Sequence, residues 1–183
     1  NTFLAVVNFL TEDNIEVDYD YGDISIVSVI NYLKNAHSYF LEFKLPQIRN
    51  KLIEAVNNQD QSIPYSSIFL KFFDEYVMEV RKHMEYEDKV TFPYVLKLLN
   101  GEKVSNYTIA VFRNHHNDIE SKLVELKNIL IKYYPDNGNS YLLTEVLFDI
   151  FSCEMDLATH NQVEDFLFIP EVEAVERKIK MKL

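Results

Sequence analysis

Strong turn chemistry occurs at only four places along the 183-residue chain: Asp20-Tyr-Gly22-Asp23, Asn57 through Pro64, Asn100-Gly101, and Pro135 through Asn139. The whole sequence holds three Gly and five Pro. Between those places lie segments of about thirty residues without a breaker, far too long for strands and suited to helices. They predict four helices, at about 24–56, 65–99, 104–134 and 140–179. Ser66 or Ser67, Ser105 and Ser140 stand near three of the N-termini, where a hydroxyl can accept early backbone N–H groups. Pro46, Pro93 and Pro170 fall late in three helices and are expected to kink or end them.

Each predicted helix carries an apolar stripe at alternating steps of three and four, the seam of an antiparallel bundle. The first stripe is Ile26, Ile30, Leu33, His37, Phe40, and the second is Phe69, Phe73, Tyr76, Val80, His83, Glu87, Val90. The third is Ile109, Phe112, His116, Ile119, Leu123, Leu126, Leu130, and the fourth is Leu143, Val146, Ile150, Cys153, Leu157, His160, Glu164. The expected fold is therefore all-α, an up-down-up-down four-helix bundle. A chain of this length fills one core and is short for two domains. We read residues 24–183 as that domain and residues 1–23, acidic and poorly periodic, as an N-terminal arm or a remnant of something upstream.

A histidine occupies a core position once in every stripe, and twice a Glu follows one turn later. A His and a Glu four apart lie one above the other on a helix, so His83/Glu87 and His160/Glu164 can each offer a nitrogen and a carboxylate to one ion. Polar groups placed where Leu is expected cost several kcal/mol unless they are bonded or metallated. Any one of these histidines alone would read as a hydrogen-bonded core residue. Four on four stripes, all near mid-helix, point instead to a shared metal site. Imidazole and carboxylate donors without thiolate suit iron or manganese, and zinc accepts the same set. Two glutamates at a bundle centre are the usual means of bridging two ions. His115 is turned about 100° from His116 and is the weaker candidate of the two. Glu120, between Ile119 and Lys122, reads as solvated. Cys153 lies about 10.5 Å from His160 by helical rise, too far to share its ion, and reads as a buried apolar residue. Tyr39 and Tyr86 lie near the candidate ligands and read as packing or as hydrogen-bond donors to them.

Charge narrows the partners. Eighteen basic residues against 29 acidic ones give a net charge of −11, which repels a phosphate backbone, so no nucleic-acid contact is expected of this segment. A single Cys excludes an internal disulfide, and no apolar run approaches the ~20 residues that span a bilayer. A reduced, cytoplasmic setting without membrane attachment is the expectation. The opening residues show no signal-peptide pattern, and a start at Asn1 without Met suggests a segment trimmed or excised from a longer protein.

The motifs His83-x-x-x-Glu87 with Phe92-Pro93, Val111-Phe-Arg-Asn-His-His116, His160-x-x-x-Glu164 with Ile169-Pro170, and Ala36-His37 through Leu45-Pro46 resemble the hemerythrin-like domain. The order and spacing hold from about residue 24 to 175. Within that family the chain is most similar to the bacterial iron-sulfur cluster repair di-iron proteins. The resemblance implies a non-haem di-iron centre with Glu87 and Glu164 as bridges and His37, His83, His116 and His160 as further ligands. The chain departs from the family pattern in three ways. No second histidine lies between Leu45 and Ser62, which implies a weaker iron near His37. His37 stands one position away from the usual place, which Ser38 occupies, so a local shift is needed to bring it in. The N-terminal Cys-containing domain of many repair proteins is missing.

Two functions follow from the resemblance. One is a di-iron protein of the nitrosative or oxidative stress response, handling nitric oxide, dioxygen or peroxide, or helping to restore iron-sulfur proteins. The other is a gas, redox or iron sensor of a larger signalling or transcription-regulating protein, with Glu171 to Lys182 as the connector to an output domain. A metal-free bundle that keeps the motif as packing is the least favoured reading.

Overall fold

The computed structural model describes residues 24–57, 66–102, 107–114, 119–132 and 141–181, together with residues 2, 6, 7 and 10. Among these residues every regular element is helical. In chain order they are α1 (Ile26–Ser38), π1 (Tyr39–Lys44), α2 (Leu45–Asn57), α3 (Ser66–Tyr86), π2 (Glu87–Thr91), α4 (Phe92–Leu99), α5 (Ile109–Arg113), α6 (Ile119–Lys132), α7 (Tyr141–Val163), π3 (Glu164–Phe168) and α8 (Ile169–Lys180). Three of the four predicted helices are thus continuous runs of α, π and α turns. No helix among the described residues is long and apolar enough to cross a membrane.

The prolines neither end nor break these runs. A proline in a helix has no N–H for the carbonyl four residues back, and its ring crowds that carbonyl. Here the residue before each proline donates instead to the carbonyl five back: Leu45 to Phe40, Phe92 to Glu87 and Ile169 to Glu164. The wide turn makes room for the ring, and a regular α-helix resumes with Pro46, Pro93 or Pro170 in its first turn. The extra residue in the turn also shifts the buried stripe. Thr91 is buried after Glu87, whereas Val90, the stripe position expected on α periodicity, is exposed.

The chain divides into two compact units. The first comprises Asn1–Ala36, Tyr86–His116 and Thr159–Leu183. Its core joins Val29, Ile30 and Leu33 of α1, Phe92, Val95 and Leu98 of α4, Ile109 and Phe112 of α5, Val163 and Phe168, and Val172 of α8. Phe168 takes the rings of Phe92 and Phe112 edge-on, at centroid distances of 5.5 and 6.3 Å. Such pairs add roughly 0.5–1.5 kcal/mol beyond the area they bury. Val6 is buried in the same cluster, and Ser25 N–H donates to Thr2 Oγ1 at 3.0 Å. Leu10 packs against that cluster, and the arm's positions other than 2, 6, 7 and 10 lie outside the described residues. α4 ends as its Asn-Gly pair predicts: Gly101, at φ 77°, donates to Leu98, and Glu102 donates to Lys97, which satisfies the last carbonyls of the helix. The side chains of Ser66 and Ser67, and Ser105 and Ser140 altogether, lie outside what is described, and with them the N-cap roles expected there, as do the other three turns apart from Asn57.

The second unit comprises His37–Glu85 and Asn117–Ala158. Its buried side chains include predicted seam positions, Phe69, Phe73, Tyr76 and Val80 of α3, Leu126 of α6, and Leu143, Val146, Ile150, Cys153 and Leu157 of α7, together with Leu45, Ile48 and Leu52 of α2, which no predicted stripe contained. Ion pairs at the rim tie neighbouring helices. Arg49 makes a two-pronged contact with Asp74 at 2.7 and 3.1 Å, joining α2 to α3. Lys51 reaches Asp149 at 2.6 Å and Lys127 reaches Glu154 at 2.8 Å, joining α2 and α6 to α7. Exposed pairs of this kind add about 0–1 kcal/mol each, so the apolar seams carry the stability and the pairs set the register.

Candidate metal centre

Among the described residues six polar or charged side chains are buried, and four of them converge: His37, Glu87, His160 and Glu164. Each offers one donor atom, and these atoms all lie within 4.8 Å of one another. His160 Nε2 is 3.3 Å from Glu164 Oε1, the i, i+4 geometry that the motif predicts. Donors around one ion at ~2.0–2.2 Å stand at most ~4.4 Å apart, so this group is close to the size of a single coordination sphere. Two imidazoles and two carboxylates, shut off from water, form a donor set suited to iron, manganese or zinc. Unmetallated, the same four groups would be costly at those positions.

The wide turns lie against this centre. Glu87 opens π2, Glu164 opens π3, and His37 stands two residues before π1. The backbone carbonyl of each glutamate accepts the last N–H of its turn, so one residue supplies a carboxylate to the centre and closes the turn that accommodates the proline. π turns favour functional sites because the inserted residue redirects side chains that a regular helix would point elsewhere. The first wide turn has six residues where the others have five. His37, which precedes the first of these turns, is buried and in the group.

The structure does not bring all six predicted ligands together. His83, on the last turn of α3, is half-buried and stands outside the 4.8 Å group. His116, its alternative His115 and the Glu120 side chain lie outside the described residues. Tyr39 is 42% exposed, and its ring packs against those of Phe40, edge-on, and Phe43. Tyr86 instead belongs to a polar chain: its hydroxyl donates to Tyr107 at 3.5 Å, and the Tyr107 hydroxyl meets the Thr91 hydroxyl at 3.0 Å. Burial pushes the Tyr107 hydroxyl well above the ordinary tyrosine value, and it stays protonated across the working range. Reading the sequence missed Thr91 and Tyr107. The available signal was Thr91 four residues after Glu87, on the face that the wide turn brings inward. Cys153 is buried as expected, and burial pushes its thiol up to about 12, which makes it inert as a nucleophile.

A family model, the hemerythrin HHE cation binding domain, matches residues 28–172. That span includes both histidine-glutamate pairs, all three wide turns and His37. No curated protein and no solved structure matches the chain.

Proposed function

This chain belongs to the hemerythrin HHE cation-binding family, an all-α, metal-binding, hemerythrin-like bundle, and on that premise we propose a non-haem di-iron protein of the nitrosative or oxidative stress response, related to iron-sulfur cluster repair. The observation that carries this reading is the convergence of His37, Glu87, His160 and Glu164 inside an otherwise apolar interior. His37 and His160 would each give a neutral imidazole to iron, and Glu87 and Glu164 would give carboxylates. His83 and His116 are the remaining imidazoles for the second ion. Iron, when bound, supplies the redox change and an open position for a diatomic ligand or peroxide. The chain's own part is to hold the donors deprotonated, to fix the two glutamates on turns pinned by backbone hydrogen bonds, and to keep all four donors buried away from bulk water.

Four donors with oxygen and nitrogen in equal number favour iron of this kind over a structural zinc site, which is usually rich in thiolate. The test is to load the protein with ferrous iron under argon and add nitric oxide, dioxygen or hydrogen peroxide. A change in the visible spectrum with at least one of the three, absent from the metal-free protein, supports the reading. An iron-loaded protein whose spectrum stays the same with all three contradicts it.

The sensor reading needs a connector beyond the bundle. Glu173 pairs with Arg113 at 2.9 Å, and Glu176 accepts from Tyr94 and from the Ile109 N–H, so the segment from Glu171 to Glu176 is tied into the first unit. Lys178 and Lys180, both exposed, are what such a connector would use.

A further inference from the structure

Helix α7 is apolar on two opposite sides. Its inward seam is Leu143, Val146, Ile150, Cys153 and Leu157, all buried. A second series at the same three-four spacing, Tyr141, Thr144, Phe148, Phe151, Met155 and Ala158, starts two positions earlier and is therefore turned about 200° away. Tyr141 is 74% exposed, Phe148 68%, Phe151 37% and Met155 71%. A surface helix normally turns a charged face to water, and a helix apolar on both sides is ordinarily enclosed.

We propose that this outer seam of α7 is a self-association surface, covered by the same seam of a second copy of the chain. Three observations favour that occupant. A three-four apolar repeat is the pattern that pairs one helix with another along its length, and a repeat facing its own copy is self-complementary. The area is appropriate: at roughly 150–250 Å² per large side chain, the four exposed residues offer about 500 Å², most of the roughly 800 Å² that one partner gives to a stable interface. Val124 and Ile131 of α6, the helix whose Lys127 lies over Phe151, are exposed as well. The third observation is charge. The chain carries −11, which opposes self-association, yet three acidic residues bordering this seam are matched by lysines of the same unit, Asp149 by Lys51, Glu154 by Lys127, and Asp156 by Lys44 at 3.9 Å, and a fourth, Glu145, bonds the Tyr141 hydroxyl of the seam itself. Lys127 also lies 5.2 Å over the Phe151 ring. With its lysines paired, the border offers little to an anionic lipid surface, and much of its acidic charge is met within the same copy.

Sedimentation velocity of the full chain across a concentration series tests this. The wild type is expected to dimerise reversibly. Phe148→Glu and, separately, Met155→Glu should each weaken the dimer at least about thirtyfold, the effect of losing one central anchor. Neither side chain is part of the buried core, so helix content by circular dichroism should stay as in the wild type. Met78→Glu, on an equally exposed side chain of α3 that is off the seam, should leave the dimer intact. Should one seam variant misfold, the other decides. A wild type that stays monomeric at about 0.2 mM overturns the proposal. So does a dimer that survives both seam substitutions or that Met78→Glu dissociates. A monomer that co-sediments with vesicles of equal parts phosphatidylglycerol and phosphatidylcholine overturns it in favour of a lipid surface.

Discussion

His160 Nε2 stands 3.3 Å from Glu164 Oε1, with both side chains shut off from solvent. The two residues share one helix face, and Glu87 and His37 bring their donors to within 4.8 Å of that pair. A core that accepts four such groups in place of Leu is less well packed without an ion than with one. Metal and fold are therefore linked, and variants of the donors have consequences for both.

Glu87→Ala and Glu164→Ala are expected to lose most of the bound metal, whereas Glu120→Ala and His115→Ala should retain it. Ligand that binds only the folded state stabilises it by about 2.7 kcal/mol at a hundredfold excess over Kd. The holo wild type should accordingly melt several degrees above both glutamate variants in a thermal scan with metal present. If His115→Ala loses metal and His116→Ala keeps it, the register assigned to the third helix is wrong.

Glu176 joins two segments distant in sequence, accepting from the Tyr94 hydroxyl at 2.6 Å and from Ile109 N–H at 2.8 Å at the start of α5. Glu176→Ala strips both donors of a charged acceptor and should cost about 1.5–3 kcal/mol in urea unfolding, with Tyr94→Phe costing about 1 kcal/mol. The double variant should cost less than the two added together, because both remove the same bond. Additive costs would show that Tyr94 and Glu176 act independently.

Alkaline stability should fall early. The Cys153 thiol rises from 9.0 in the unfolded chain to about 12 in the fold, through burial. A raised folded-state value means that the stability it contributes is complete below pH 9 and is lost as the pH climbs toward 12, because the unfolded chain ionises first. The Tyr94 hydroxyl moves in the same direction, by burial and by its bond to Glu176. The urea midpoint should therefore decline steadily above pH 9, and Cys153→Ala should decline less steeply. The same thiol should react with a disulfide reagent at neutral pH only after the protein is unfolded. Rapid reaction in the folded state would contradict its burial.

Much of this was legible in the residues. All five first-stripe positions and all seven on the fourth are buried, including His37, His160 and Glu164, because three-four spacing and long breaker-free segments leave a helix one way to face a core. The wide turns were not. A proline late in a helix reads as a kink, and only the backbone shows Phe92 and Ile169 donating five residues back to the motif glutamates. From the first of these follow the exposure of Val90 and the burial of Thr91. Tyr107 escaped notice because its role arises from a contact with Thr91 and Tyr86 across sixteen and twenty-one residues, which no local pattern encodes. The outer seam of α7 shares its spacing with the inner one, and exposure alone distinguishes them.

Metal analysis of protein purified from iron-supplied cells tests the centre most directly. Two histidine-glutamate pairs on different helices can bracket two ions, so iron should be present at up to about two equivalents per chain, and Glu87→Ala and Glu164→Ala should carry much less. A wild type holding below about half an equivalent of iron, manganese and zinc combined would contradict a metal centre at these residues.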